Sequence, residues 1–332
     1  MAGAPPRVEA RHYESADWDT ALCKICPQLC SIAPSRVGAC GVRTNRHGKL
    51  QVDNYGKVAA LQFLDGAELP LFHHAPGSRW LRLGMKGCTM RCPFCNTSRY
   101  SQVGAARTEV FQPAELAELA LSHEARGISF GVNEPAVSHE FVCDVFDAAR
   151  EAGLETHLAT SGSWCEEPFQ EVLERTTAMT FGFKGFSAEF LQAECGGPLD
   201  FIRLNAETAV ARGVHVEATY LVLDGQEGWR GQLDEFGAWV EGLQPRMAVV
   251  LLPLEPAFTW KDRRPDRASV PWARERLAGR LPHVYILDPE GGRMDTHCEK
   301  CGTVLVRRGL AGTIVRSEGV CPKCASQTPF AD

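Results

Sequence analysis

No stretch of this sequence is long and apolar enough to cross a bilayer; the longest apolar run, Met247–Leu254, is short and broken by Pro253. The N-terminal segment MAGAPPRVEARHYESADWD lacks the apolar core of a secretory signal. Nor is there a basic excess. Lys and Arg number 35 against 41 Asp and Glu, a formal net charge of −6, which excludes a surface built wholly to take nucleic acid. The chain has no internal repeat and no low-complexity tract. These absences predict a soluble, cytoplasmic protein with no membrane partner. At 332 residues it can bury an ordinary core, so cysteines are not needed as staples.

Cysteine is nevertheless abundant, with 14 in all. Random scatter would place ~0.6 pairs three residues apart. The sequence has four: Cys23/Cys26, Cys92/Cys95, Cys298/Cys301 and Cys321/Cys324. In a reducing compartment such pairs point to metal rather than to a disulfide framework. They fall into three groups: Cys23, Cys26, Cys30 and Cys40; Cys88, Cys92 and Cys95; and Cys298, Cys301, Cys321 and Cys324. The outer groups have four thiols and the middle one has three.

Between residues 76 and 290, strand-like and helix-like runs alternate. Strands are predicted at Trp80–Lys86, Ile128–Val132, Leu154–Thr160, Ala178–Lys184, Val214–Val222 and Met247–Leu254, with helices at Pro113–Arg126, Val137–Gly153, Glu166–Arg175, Leu199–Arg212 and Trp229–Leu243. This alternation implies an α/β fold with a parallel sheet. Six units predict a partial (β/α)6 TIM-like barrel, with its chemistry at the carboxyl ends of the strands. Residues 1–75 read as an N-terminal Cys-rich metal-binding module. Residues 291–332 read as a C-terminal zinc ribbon, following a further strand at Val284–Leu287.

The middle group, Cys88-x3-Cys92-x2-Cys95, directly follows a strand. Structural zinc takes four protein ligands, whereas three thiolates can hold a [4Fe–4S] cluster and leave one iron open for chemistry. A zinc site completed by a distant histidine is the competing reading. The loop resembles the signature of the radical S-adenosylmethionine superfamily, with Phe94 at its aromatic position. The resemblance implies that the amino and carboxylate groups of S-adenosylmethionine chelate the open iron. Reductive cleavage would then give a 5′-deoxyadenosyl radical that abstracts hydrogen from a substrate. More narrowly, PLFHHAPGS (Pro70–Ser78) and the set Cys23, Cys26, Pro27, Cys30, Gly38, Cys40, Val42 and Arg43 resemble the radical component of the AmmeMemoRadiSam system. So do Asn133-Glu134-Pro135 and Lys184-Gly185-Phe186. Pyruvate formate-lyase activating enzymes are similar at a greater distance. The chain departs from the family at Gly182-Phe183-Lys184, where Asp-Leu-Lys is usual, and in having CNT after the cluster.

The resemblance implies further cofactor contacts. Backbone carbonyls of the Asn133-Glu134-Pro135 turn would take the methionine ammonium, with Glu134 oriented to hold the turn; Thr160 and Ser161 would offer hydroxyls, and Lys184 would pair with the carboxylate. A plain turn, and a surface lysine, are the bland alternatives for the first and last. Glu217 sits inside a predicted strand, where a carboxylate is costly unless it faces the barrel mouth, so it is the substrate-site candidate. His73 and His74 read as packing residues and Cys143 as a core thiol. Few fixed charges lie at the strand ends, which favours a small uncharged or zwitterionic molecule, or a peptide, over a phosphorylated nucleotide.

Cys298-x2-Cys301…Cys321-x2-Cys324 has zinc-ribbon spacing, and a rubredoxin-like iron site shares its ligand set. Arg307, Arg308, Arg316 and Lys323 make it basic, yet nucleic acid is not the expected partner. Cys23-x2-Cys26-x3-Cys30-x9-Cys40 suits either zinc or an auxiliary [4Fe–4S] cluster. The expected function is that of a radical S-adenosylmethionine enzyme supplied with electrons by a flavodoxin or ferredoxin. A glycyl-radical activase and a non-enzymatic zinc scaffold or nucleic-acid binder are the alternatives.

Overall fold

β-Branched and aromatic runs such as HVEATYLV and AMTFGF, each set off by turn residues, become the strands of one large sheet. The computed structural model describes residues 8–102, 106–288, 292–309, 312–317 and 319–330. In chain order the sheet strands are β1 (Ala60–Asp65), β2 (Arg79–Gly84), β3 (Gly127–Phe130), β4 (Glu155–Thr160), β5 (Ala178–Phe183), β6 (His215–Val222), β7 (Val249–Pro253), β8 (Val284–Asp288) and β9 (Gly292–Arg293). They lie side by side in that order. β2 through β8 are parallel, while β1 and β9 pair antiparallel at the two edges.

The predicted helices form as α1 (Pro113–Ser122), α2 (His139–Glu151), α3 (Glu166–Leu173), α4 (Leu199–Ala211) and α5 (Trp229–Leu243). Their apolar faces cover the outside of the sheet. α2, for example, buries Phe141, Val142, Val145, Phe146 and Ala149 completely. The sheet has one parallel strand more than the six expected. Val284–Asp288 joins beside β7 after a sixth helix, α6 (Ser269–Ala278). That helix escaped the sequence reading because Pro271 lies within it; the residue falls in the first turn, where a missing N–H costs little.

Two charged anchors fasten the flanks to the sheet. Arg43 holds Glu140 of α2 with both nitrogens, at 3.0 and 2.6 Å, and both side chains are fully buried. At the other end Arg308 donates to the Phe72 carbonyl at 2.6 Å and to Thr296 Oγ1 at 2.8 Å, its guanidinium 4.3 Å from the centre of the Phe72 ring. Arg308 is therefore a packing residue and leaves the basic set considered above for nucleic acid. The hairpin Val304–Gly309/Gly312–Val315 carries the C-terminal cysteines; its tip, residues 310–311, lies outside the described residues. All 14 thiols are free. No helix among the described residues is long and apolar enough to cross a membrane.

Candidate active site

A cavity of about 460 Å³ opens at the carboxyl ends of the parallel strands. Cys88, Cys92, Phe94 and Cys95 form one wall, and Asn133, Glu134, Thr160, Ser161 and Lys184 another. The loop that carries the cysteines is held from both sides. Asn133 accepts from the Met85 N–H through Oδ1 and donates to the Gly87 carbonyl through Nδ2, both at 2.8 Å. Val132, just before it, has φ of 74°, a left-handed backbone that a β-branched residue adopts only under constraint. Its carbonyl accepts from Thr97 Oγ1 at 2.6 Å. The turn after β3 is thus strained in order to grip the cysteine loop.

The three thiols sit in different surroundings. Burial pushes Cys88 up to about 12. A hydrogen bond with Cys195 and burial together raise Cys92. Cys95 lies 3.4 Å from Thr97 Oγ1 and 3.3 Å from Ser101 Oγ. Thiols raised in this way, as Cys88 and Cys92 are, become thiolates when a metal takes the proton's place. Burial alone would lower the pKa of Lys184, but Cys92, Glu134, Cys195 and Cys88 around it raise it, so it stays a cation. Its only hydrogen bond among the described residues goes to the Gly182 carbonyl at 3.0 Å, leaving donors for an incoming carboxylate.

Glu134 faces protein more than cavity. Its carboxylate accepts from Thr160 Oγ1 (2.5 Å), Ser161 N (2.8 Å), Ser161 Oγ (2.6 Å) and Trp164 Nε1 (3.1 Å). Both hydroxyl protons are therefore committed to Glu134, and Thr160 and Ser161 can offer a ligand only their oxygen lone pairs. The Asn133-Glu134 pair ties the ends of three strands together: Asn133 reaches the end of β2, and Glu134 the end of β4.

Glu217 is not at the mouth. Its carboxylate is fully buried and accepts from the backbone N–H groups of Phe72, His73 and His74 at 2.7, 2.8 and 3.1 Å, and from His215 Nε2 at 2.9 Å. Burial would raise its pKa, yet His215 and these N–H groups hold it below the usual carboxylate range. Located near the start of β6, it clamps segment 72–74 beneath the barrel, and its expected role as a substrate residue is withdrawn. His73 and His74 are buried, with His73 Nε2 2.7 Å from the Tyr285 hydroxyl and His74 Nε2 2.6 Å from Glu155. Cys143 is a buried core thiol.

Besides Lys184 and Glu134, the charged residues that line the cavity are Arg82, Glu68 and Glu255. Arg82 makes no hydrogen bond or ion pair within the described residues, and burial lowers its pKa. Sequence reading passed over it, although strand periodicity puts it on the same face as Trp80 and Gly84, the face that points inward.

Metal-ligating atoms of three or more side chains converge within 4.8 Å at two places among the described residues. One is Cys298, Cys301, Cys321 and Cys324, where Cys298–Cys324 and Cys301–Cys321 each stand 3.6 Å apart. Zinc–sulfur bonds of about 2.3 Å in a tetrahedron require sulfurs ~3.8 Å apart, so this group fits one metal ion. The other is His12, His139 and Glu171, where the Glu171 carboxylate is hydrogen-bonded by both histidines and by Arg11, joining the N-terminal module to α2 and α3.

Residues 83–233 match the Radical SAM superfamily. That segment is a Radical SAM domain, which makes the chain a radical S-adenosylmethionine enzyme; the domain implies a [4Fe–4S] cluster and S-adenosylmethionine as cofactors. It is 28% identical over 309 residues to an uncharacterized protein of Methanocaldococcus jannaschii, covering 90% of this chain and 91% of that one. Its fold is similar to that of a radical SAM methyltransferase from Sphaerobacter thermophilus, with a TM-score of 0.50 and 17% identity over 65% of this chain and 68% of that one. Against SuiB of Streptococcus suis, solved with S-adenosylmethionine, the TM-score is 0.49 at 11% identity over 62% of this chain, and the chain spans about half of SuiB, 48%.

Proposed function

We propose that Cys88, Cys92 and Cys95 ligate the cluster and that the enzyme uses S-adenosylmethionine to abstract hydrogen from a small molecule or a peptide segment. The observation that carries this is three thiols on the wall of one cavity at the strand ends, with a cation and a polar turn opposite. When bound, the cluster supplies one electron that breaks a sulfonium C–S bond and yields a 5′-deoxyadenosyl radical. The chain's own residues do the rest. Lys184 neutralises the methionine carboxylate. Asn133 fixes the cysteine loop, and Glu134 fixes the turn at Thr160 and Ser161 against which the cofactor lies. The inner cavity, walled by Leu221, Leu252 and Leu287 with Thr180, Thr219 and Arg82 as polar points, receives the substrate and keeps water from the radical.

In this reading residues 76–290 form the catalytic unit and residues 1–75 and 291–332 flank it, with structural zinc in the ribbon. A flavodoxin or ferredoxin of the cytoplasm supplies the electron. The direct test is anaerobic reconstitution with iron and sulfide, followed by dithionite and S-adenosylmethionine. Wild-type protein should release 5′-deoxyadenosine and Cys92→Ala should not; undiminished product from the variant would overturn the assignment.

A further inference from the structure

The two four-cysteine groups of this molecule are built differently. The C-terminal four close on a point, as one zinc ion requires. Cys23, Cys26, Cys30 and Cys40 are all described, yet no three of them bring their sulfurs within 4.8 Å of one another. Cys88, Cys92 and Cys95 likewise form no such convergent group among the described residues. The N-terminal thiols instead line one small cleft, walled by Ile25, Ile32 and Val137 and backed by Arg43.

We propose that this cleft holds a second iron–sulfur cluster of the [4Fe–4S] type, bound by Cys23, Cys26, Cys30 and Cys40, in place of zinc. A cubane stands its thiolates apart, with four irons between them, whereas zinc draws them together. The local backbone matches a four-point cradle. Cys23 ends a strand and its N–H donates to the Cys30 carbonyl at 3.0 Å, closing a tight loop that presents Cys26. Cys40 arrives from a separate turn, closed by the Gly41 N–H on the Gly38 carbonyl at 2.9 Å.

The cleft also abuts the loop of the first cluster. Thr89, the residue after Cys88, lines the N-terminal cleft. Its hydroxyl is buried and has no hydrogen-bond partner among the described residues, a donor free for a cluster sulfur. Gln28 Nε2 donates to the Thr89 carbonyl at 3.2 Å. Gly87, at φ of 92°, runs so close to Cys40 that a Cβ there would stand 2.7 Å from the Cys40 carbonyl oxygen. Resting on the reading of Cys88, Cys92 and Cys95 given above, this contact places the second cluster across Thr89 from the first. A low-potential donor of the ferredoxin or flavodoxin class would lose one electron to the N-terminal site. The same electron would pass across Thr89 and reduce the sulfonium, returning both sites to their starting states.

The test uses the full chain, reconstituted anaerobically, with iron, sulfide and zinc measured and electron paramagnetic resonance recorded after dithionite. Wild-type protein should hold about eight irons and one zinc, with the two reduced clusters broadening each other's signals. The triple variant Cys88→Ala/Cys92→Ala/Cys95→Ala should keep about four irons and a signal indifferent to S-adenosylmethionine. Because that variant leaves the N-terminal module intact, it decides the matter even if Cys26→Ala/Cys30→Ala fails to fold. An iron-free triple variant with two zincs would overturn the second cluster and leave the first standing. Full wild-type iron in the triple variant, lost on replacing Cys26 and Cys30, would support the second cluster and refute the first.

Discussion

Glu217→Gln separates a structural carboxylate from a substrate-binding one. In the folded chain, Oε1 accepts three hydrogen bonds, from His73 N, His74 N and His215 Nε2, and Oε2 accepts one from Phe72 N at 2.7 Å. A glutamine can keep its oxygen at the first position. Its NH2 then faces the Phe72 N–H, donor against donor, in a site closed to water. A bond to a charged acceptor contributes about 1.5–3 kcal/mol, and the three that remain weaken when the acceptor becomes neutral. Relief from burying a charge offsets part of this loss. The net expectation is a destabilisation of about 3 kcal/mol, seen as a melting temperature several degrees lower, with 5′-deoxyadenosine formation per folded molecule unchanged. The sign with pH follows from the lowered pKa of Glu217. Its contribution is complete above the unfolded value of 4.5 and is lost as pH falls through the lower folded value. The gap between variant and wild type should therefore be widest at neutral pH and shrink in acid. Wild-type stability combined with loss of substrate-dependent turnover would refute the reasoning and return Glu217 to the substrate site.

Glu134→Gln should disorder the turn at Thr160–Trp164, weakening S-adenosylmethionine binding while iron content holds; equilibrium dialysis and iron analysis check both halves. Lys184→Met should weaken that binding about tenfold or more, the equivalent of 1.4 kcal/mol upward, as calorimetric titration would show. Arg43→Met leaves Glu140 buried without its ion-pair partner and should cost about 3–5 kcal/mol in a denaturant titration, with much of the loss recovered in Arg43→Met/Glu140→Leu. Cys321→Ala should release one equivalent of zinc and loosen the C-terminal hairpin while the cluster absorption persists; loss of iron instead would mean that the cysteines are grouped differently.

The fold was legible wherever hydrophobic period and turn chemistry agreed. Trp229–Leu243 forms with the expected bounds, and Leu199–Ala211 ends within one residue of them. β6 likewise stops at Val222 as its run of apolar residues does. For Ala60–Asp65 and Val284–Asp288, what sequence did not show was their place in the sheet, for different reasons. The strand Ala60–Asp65 reads in sequence only as an isolated β piece at Val58–Phe63, because its partner, Arg79–Gly84, follows only after a loop whose structure rests on contacts with Glu217, 143 to 145 residues away. Val284–Asp288 is a fair strand by composition, but the crossover that makes it parallel runs through a helix carrying a proline. Long-range pairing is a property of closure, and local pattern does not report it.

At the site, residue type was legible and direction was not. Cysteine spacing depends on which metal geometry the backbone can wrap, so it survives translation into sequence almost intact. Carboxylates are different, because the same Glu serves as ligand, clamp or solvated charge according to where its oxygens point. Glu134 holds the turn as expected, while Glu217, set among apolar neighbours in sequence, is an acceptor for protein donors rather than for a ligand. Arg82 is the converse case. Its place in WLRLGMK puts it on the inward face, and it lines the cavity with no hydrogen bond or ion pair among the described residues. The pattern suggests where a substrate charge is read in this enzyme. The buried carboxylates of Glu134 and Glu217 are already satisfied by the fold, whereas Arg82, with the charge of Glu68 near it, keeps its donors free among the described residues and favours a substrate that carries an anionic group. Arg82→Met should then remove the dependence of turnover on that anionic group while S-adenosylmethionine still binds. A variant that loses cofactor binding instead would place Arg82 in the cofactor's half of the cavity.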